Sequence, residues 1–366
     1  MKKLCDYCKM EFPAEALELF NGRYFCPECL DEHTICCSHC NDRIWVEDNV
    51  GSTGMPLCAH CYSAHFLTCI YCGRVIHIDA AHYEDDESDE PMCEDCHMRR
   101  QDRRIIRDYY YKPIPIFYGK GPRYFGVELE VDGAGEDSAK AARVLEIANR
   151  DTIRAYCKHD GSLDDGFEIV THPMSLAYQR EQMPWGEILR CLRNMGYVSH
   201  QANTCGLHCH ISRTAFGVTV EEQEAAIGRV LFFVEKHWAE LLKFSRRTAR
   251  QLERWASRYG YQPDPKKLYD HATKNYGAGR YTCVNLNNEE TIEFRIFRGT
   301  LKLNTLIATL QLIDRICDVA IFMSDEELEH MSWTTFVSGC QQPELVQYLK
   351  ERRLYVNEPV ESEVEI

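Results

Sequence analysis

The chain has no apolar run approaching the ~20 residues that a membrane-spanning helix requires. Its opening, MKKLCDYCKMEF, is broken by charges and lacks the apolar core of a signal peptide, so a cytoplasmic protein is expected. Neither a G-x-x-x-x-G-K-[ST] loop nor a G-x-G-x-x-G turn occurs, which removes P-loop and Rossmann phosphate sites from consideration. Positive charge is scarce at the start. Within residues 1–98, 6 Lys or Arg stand against 19 Asp or Glu, a balance of −13 within the net −15 of the whole chain. A surface of that sign repels phosphate backbones, so nucleic acid is not an expected partner.

Cysteine is what the chain has in excess. With 366 residues, 45% hydrophobic and 11% aromatic, it can bury a sizeable core and is expected to hold more than one domain. In a reducing compartment, 20 cysteines argue for metal or free thiols before disulfides. Cys5, Cys8, Cys26 and Cys29 make C-x2-C-x17-C-x2-C, and Cys37, Cys40, Cys58 and Cys61 repeat it. Cys69, Cys72, Cys93 and Cys96 form a third copy with a longer middle. The copies begin 32 residues apart, an internal repeat, and that period selects Cys37 over Cys36 as ligand. Four thiolates in two knuckles suit tetrahedral Zn²⁺ with no open position, so three structural zincs are expected. The repeat resembles the zinc-binding halves of LIM domains and related treble-clef fingers, helped by the ending CYSAHF at 61–66, although seven residues separate the modules. Such modules make protein contacts, and recruitment of a protein or peptide substrate is expected; a self-contained stability module is the alternative.

Three tandem modules at about 5–29, 37–61 and 69–96 thus fill residues 1–97. EDDESDE at 84–90 reads as a solvated loop. The Arg- and Tyr-rich segment after Cys96, closed by Pro113 and Pro115, reads as a linker over 98–118. A catalytic domain is expected over 119–323, and a C-terminal helix with an acidic tail over 324–366. Strand patterns fall at 123–131, 153–160, 167–173, 207–212, 281–287 and 291–298, with helical patterns near 137–149, 175–195, 220–243 and 303–323. Paired strands with helices between them predict an α+β domain on a mainly antiparallel sheet.

Three of those strands alternate apolar and ionisable residues, which places the two kinds on opposite faces. In FGVELEVD, Val127, Leu129 and Val131 oppose Glu128, Glu130 and Asp132. In GLHCHIS, Leu207, Cys209 and Ile211 oppose His208, His210 and Ser212; in TIEFRIF, Ile292, Phe294 and Ile296 oppose Glu293 and Arg295. A sheet that buries its apolar face on helices brings the rest together as a wall of carboxylates, imidazoles and a guanidinium, a surface suited to metal-bound polyphosphate. Taken singly, E-x-E on a strand reads as a solvated face, E-x-R as a surface salt bridge, and C-x2-H-C-H at 205–210 as a fourth zinc site. The Arg run at 244–260 reads as an exposed amphipathic helix.

FGVELEVD, DGSL at 160–163 leading to FEIVTHP, CGLHCHIS, RYTCVNLNN and TIEFRIFRGTL together resemble the amidoligase family, carboxylate-amine ligases on the glutamine-synthetase catalytic fold. The resemblance spans most of 120–323. It implies an ATP-dependent ligase in which a carboxylate becomes an acyl phosphate and an amine displaces the phosphate. By that similarity Glu128, Glu130, Glu168, His208 and Glu293 hold Mg²⁺ or Mn²⁺, and His210 and Ser212 meet the nucleotide. Arg295 and Glu293 serve catalysis, with Arg280 and Arg298 as further nucleotide contacts. Glutamine synthetases carry one more metal carboxylate beyond the position of Glu168, for which Asp160 or Asp165 is available. A zinc-dependent hydrolase built on His208 and His210, and a non-catalytic finger adaptor, are the competing readings.

Overall fold

The computed structural model describes residues 2–84, 88–101, 104–274 and 281–355. The chain divides into two compact units, residues 1–103 and 104–366.

In the first unit each module opens with a tight knuckle. The carbonyls of Cys5, Cys37 and Cys69 accept from the amides of Lys9, Asn41 and Gly73 at 3.0, 2.9 and 2.9 Å. Those three residues have φ of 62°, 63° and 70°, the left-handed conformation that turns the chain back onto its second thiol. Short helices, Pro27–His33, Ala59–His65 and Glu94–Gln101, each carry the last cysteine of their copy, with the third cysteine immediately before the helix. Sulfur atoms of opposite pairs approach to 4.0 Å (Cys8 and Cys26), 4.0 Å (Cys40 and Cys58) and 3.6 Å (Cys72 and Cys93). A tetrahedron with 2.3 Å zinc–sulfur arms has edges of ~3.8 Å, so each quartet already has the dimensions of a zinc site. All 20 cysteines are free thiols. The repeat extends beyond the ligands: His33 and His65 occupy the same place in their copies, and their rings lie 3.8 Å from Tyr7 and 4.4 Å from His39. Of the acidic loop, 85–87 lie outside the described residues, while Glu84 is held by Arg100 at 2.8 Å.

The second unit is a seven-stranded sheet. In chain order the strands are β1 (Ile106–Arg107), β2 (Phe125–Val131), β3 (Ala155–Lys158), β4 (Phe167–Thr171), β5 (Gly206–Ser212), β6 (Val284–Asn285) and β7 (Thr291–Arg298). Their spatial order is β6-β7-β5-β2-β4-β3-β1, antiparallel throughout except for the β3/β1 pair. The antiparallel α+β class read from the sequence is the class the chain forms.

One face of the sheet is apolar as the alternation requires, with Val127, Leu129, Val131, Leu207, Cys209, Ile211, Ile292 and Phe294 all fully buried. Helix α1 (Ser138–Ala148) and the twenty-residue α2 (Leu303–Phe322) belong to the core this face builds, and α2 is apolar almost all round because it is buried almost all round. Two long helical patterns are each divided. Pro184 splits 175–195 into Leu176–Glu181 and Trp185–Asn194, and His237 separates Val220–Lys236 from Trp238–Ser245.

Residues 104–118, read from sequence as linker, lie within the second unit. Ile106 and Arg107 pair in register with Cys157 and Lys158, and Tyr111 is buried with its ring 5.3 Å from Tyr156. Residues 324–355 form three short helices, Asp325–His330, Trp333–Ser338 and Pro343–Glu351, each contributing buried apolar side chains to the same core. The acidic tail, 356–366, lies outside the described residues.

Candidate active site

The polar face of the sheet collects its ionisable residues through register. Glu128 pairs with His208, Glu130 with Glu168, and His210 with Glu293. His208 sits at the centre, its Nδ1 3.5, 3.6 and 3.7 Å from carboxylate oxygens of Glu128, Glu130 and Glu293. His210 Nε2 is 3.1 Å from Glu128, and its other nitrogen is 3.1 Å from the Thr291 hydroxyl. Glu293 accepts from Asn285 Nδ2 at 2.8 Å and from the Arg295 guanidinium. Glu130 accepts from the amide of Gly206, where a Cβ would stand 2.3 Å from His208 Nε2, so glycine at this position leaves room for the His208 ring.

Glu130, Glu168, His208 and Glu293 are each no more than 4% exposed, an arrangement that is costly unless cations answer it. Burial pushes Glu128 up, but the charges and hydrogen bonds of His210 and His208 hold it well below the usual carboxylate range. Glu293 is likewise lowered against its burial, by His210 and Arg295. Glu168 is raised well above the usual range by burial and then by Glu128, with Lys158 opposing. Glu130 is raised by burial, against His208. His210 is raised because Glu128 and Glu293 outweigh its burial. Glu168 and Glu130 therefore hold a proton more tightly than ordinary carboxylates, and a bound dication would favour its release.

Two sets of side chains, Glu128 with His210 and Glu293, and Glu128 with Glu168 and His208, place ligand atoms within 4.8 Å of one another. Their mixture of carboxylate oxygens and single imidazoles fits Mg²⁺ or Mn²⁺. They line a cavity of about 330 Å³ together with Lys158, Asp160, Asn285 and Arg295. Among the described residues Arg295 keeps one buried donor, Nε, without a partner.

The remaining expected residues are placed less centrally. Ser212 is on the same face opposite Thr291, beyond the cavity wall. Arg298 reaches that face because the β5/β7 register shifts between Leu207 and Cys209. Leu207 faces Phe297 whereas Cys209 faces Phe294, so β7 bulges, Phe297 enters the core and Arg298 emerges with Gly206. There it lies outside the cavity, beside the carbonyls of Arg246 and Ala202. Arg280 falls outside the described residues. Of the two spare carboxylates, Asp160 lines the cavity and Asp165 does not; Asp165 lies in the loop before β4, where its backbone amide donates to Asp132 at 2.6 Å. Cys209 faces the core, away from His208 and His210, so C-x2-H-C-H is no zinc quartet.

Lys158 and Asn285 were not singled out from the sequence, although alternation on β3 and β6 carried the signal. Arg247, read as part of an exposed helix, is 7% exposed, beyond a left-handed Arg246, and donates to the Phe297 carbonyl at 3.2 Å. Its burial lowers it to about 10 against the pull of Glu130. No local pattern signals it.

In the finger unit, burial raises the thiols, but amide donors overcome this at the first cysteine of each quartet: Cys5, Cys37 and Cys69 are each lowered to about 6. Cys29 and Cys96 are pushed up to about 12 by burial and their neighbours. One thiolate per quartet is therefore ready for metal.

Residues 147–317 match the model of a family described as "Putative amidoligase enzyme". No curated protein matches the chain. Among solved structures it is similar to the "Crystal structure of the complex between Prokaryotic Ubiquitin-like Protein Pup and its Ligase PafA", at 8% identity and a TM-score of 0.26, covering 63% of this chain and 56% of that one. The matched family is the one that the motifs resemble. Glu168, His208, His210, Glu293 and Arg295 lie inside the matched stretch, and Glu128 and Glu130 pair with it through β2.

Proposed function

We propose, from the premise that residues 147–317 carry an amidoligase domain, that this protein uses ATP and Mg²⁺ or Mn²⁺ to join a carboxylate to an amine through an acyl phosphate. The observation that carries this reading is the buried carboxylate–imidazole cluster whose cavity the Arg295 guanidinium also lines. A dication held by the Glu128 sets would neutralise phosphate oxygens, the main demand of phosphoryl transfer. The substrate carboxylate oxygen attacks the terminal phosphorus, and the bond to the bridging oxygen breaks with its electrons leaving on ADP. The amine nitrogen then replaces phosphate at the acyl carbon and sheds one proton. Arg295, anchored to Glu293 through one nitrogen, would turn the rest of its planar guanidinium toward the transferred group, where the fork can grip two oxygens. Asn285 fixes the second oxygen of Glu293 and so its orientation.

The zinc array is read as the recruiter of a protein or peptide substrate. Its net negative charge and its exposed Tyr7, Met10, Leu19, Val46, Tyr71 and Ile78 support a protein-contact surface. Twenty free cysteines support a reducing, cytoplasmic setting. Among the described residues no helix is long and apolar enough to cross a membrane.

Calorimetric titration of ATP with and without Mg²⁺ tests the reading. Tight binding is expected only with metal, and Glu293→Ala or Glu130→Ala should weaken that coupling. Metal-independent ATP binding, or none, overturns it, and amide hydrolysis without ATP would favour the zinc-hydrolase reading.

A further inference from the structure

The cavity that holds the carboxylates opens into a larger cleft of about 560 Å³, walled in part by Tyr111, Pro113, Pro115, Tyr156 and His172. Six residues line both spaces and so form the neck between them: Lys112, Glu128, Lys158, His210, Asn287 and Asn288. Two are lysines, and neither belongs to the motifs that carry the family resemblance. Lys158 stands opposite Glu168 in the β3/β4 register, on the face of Tyr156. Its side chain is only 11% exposed, yet its ammonium is 4.0 Å from Glu168 and 5.3 Å from the centre of the Tyr109 ring. Four ångströms is beyond hydrogen-bond reach, so this nearly buried cation keeps donors aimed into the neck. Lys112 comes from the 104–118 segment, ahead of the stretch that matches the family. It is exposed and, among the described residues, makes no hydrogen bond or ion pair.

We infer that Lys112 and Lys158 form a two-lysine clamp for the phosphate chain of the nucleotide at this neck. The inference rests on the ligase reading above. A nucleotide whose base lies in the larger, aromatic- and proline-walled cleft must thread its phosphates through the neck to reach the carboxylate cluster. The phosphates repel Glu128, Glu168 and Glu293, and two ammonium groups supply compensating positive charge from the sides that the sheet carboxylates leave open. A compact ammonium serves phosphate oxygens as a point charge and makes no demand for a fixed planar geometry. One lysine is preset by β3, and the other comes from a segment anchored on either side of it, by Ile106 and Arg107 paired with β3 and by Ile116, whose amide meets His172 at 3.3 Å.

The test uses the full chain loaded with zinc and titrated calorimetrically, in Mn²⁺, with ATP, inorganic tripolyphosphate and adenosine. Lys112→Gln should weaken ATP and tripolyphosphate on the order of tenfold, the loss expected for one charge-assisted contact. It should leave adenosine affinity and melting temperature unchanged, and Lys112→Arg should recover most of the loss. Lys158→Gln should act in the same direction, and if it proves too unstable to titrate, Lys112→Gln alone decides. Wild-type binding of ATP with metal, together with lysine variants that bind tripolyphosphate within twofold of wild type, overturns the clamp and leaves the ligase reading standing. No metal-dependent ATP binding by the wild type overturns both.

Discussion

Arg295 sits where charge compensation and catalysis make different demands. Its contact with Glu293 is satisfied equally well by any cation, whereas gripping two oxygens of a transferred phosphate needs the planar guanidinium. Arg295→Lys therefore separates the two duties. We expect turnover to fall on the order of 10²-fold, the scale of one lost preorganised contact, with melting temperature close to wild type. ADP release and thermal unfolding measured on one sample check this, and undiminished turnover would remove Arg295 from the chemistry. His208 illustrates a second residue-scale feature. Three carboxylates converge on one imidazole nitrogen, and Gly206 is what lets the ring lie where they meet. That glycine stands in the sequence without any local sign of its task.

At the scale of elements, period-two alternation sorted β2, β5 and most of β7 onto the correct faces, because a sheet with one buried face permits no other register. It fails at the end of β7, where Ile296 and Phe297 are both buried and the bulge returns Arg298 to the polar side. A bulge is decided by pairing with β5, which no window of the β7 sequence contains. The same holds for the helix pattern at 220–243, which is broken at His237. That ring is 4% exposed, packed 4.7 Å from Phe233 and 5.7 Å from Trp333, and its burial lowers it to about 4 from an ordinary 6.5. The unfolded chain takes up this proton near pH 6.5 and the folded chain only near 4. Its contribution to stability is thus complete above pH 6.5 and declines as pH falls toward 4, by up to about 3 kcal/mol. Denaturant unfolding across that window should show a shallower pH dependence for His237→Phe than for wild type; parallel curves would contradict the assignment.

At the scale of the whole molecule, the two units draw stability from different sources. The second has one extensive apolar core, while the first has only small clusters that include its own cysteines. Modules of that kind depend on metal for folding. Purified protein should carry about three zincs per chain, and strong chelation should unfold the 1–103 unit while leaving the 104–366 unit folded. Metal analysis with hydrogen exchange on the chelated chain checks both halves of that statement, and disulfides within the quartets would refute it.

By itself the sequence determined the three cysteine quartets, the antiparallel α+β class and, by alternation, the placing of Glu128, Glu130, His208, His210, Glu293 and Arg295 on one polar face; Glu168 was expected there only from the family resemblance. Fixed spacing and strand alternation are local properties, readable wherever a few consecutive residues carry them. The tertiary structure alone decided that Asp160 lines the cavity and Asp165 does not, that Arg247 is buried, and that the 104–118 segment belongs to the sheet and brings Lys112 to the neck of the site. Each of those outcomes depends on which distant strand or loop lies opposite. Such contacts are set by the packing of the whole core, and no short stretch of chain encodes them.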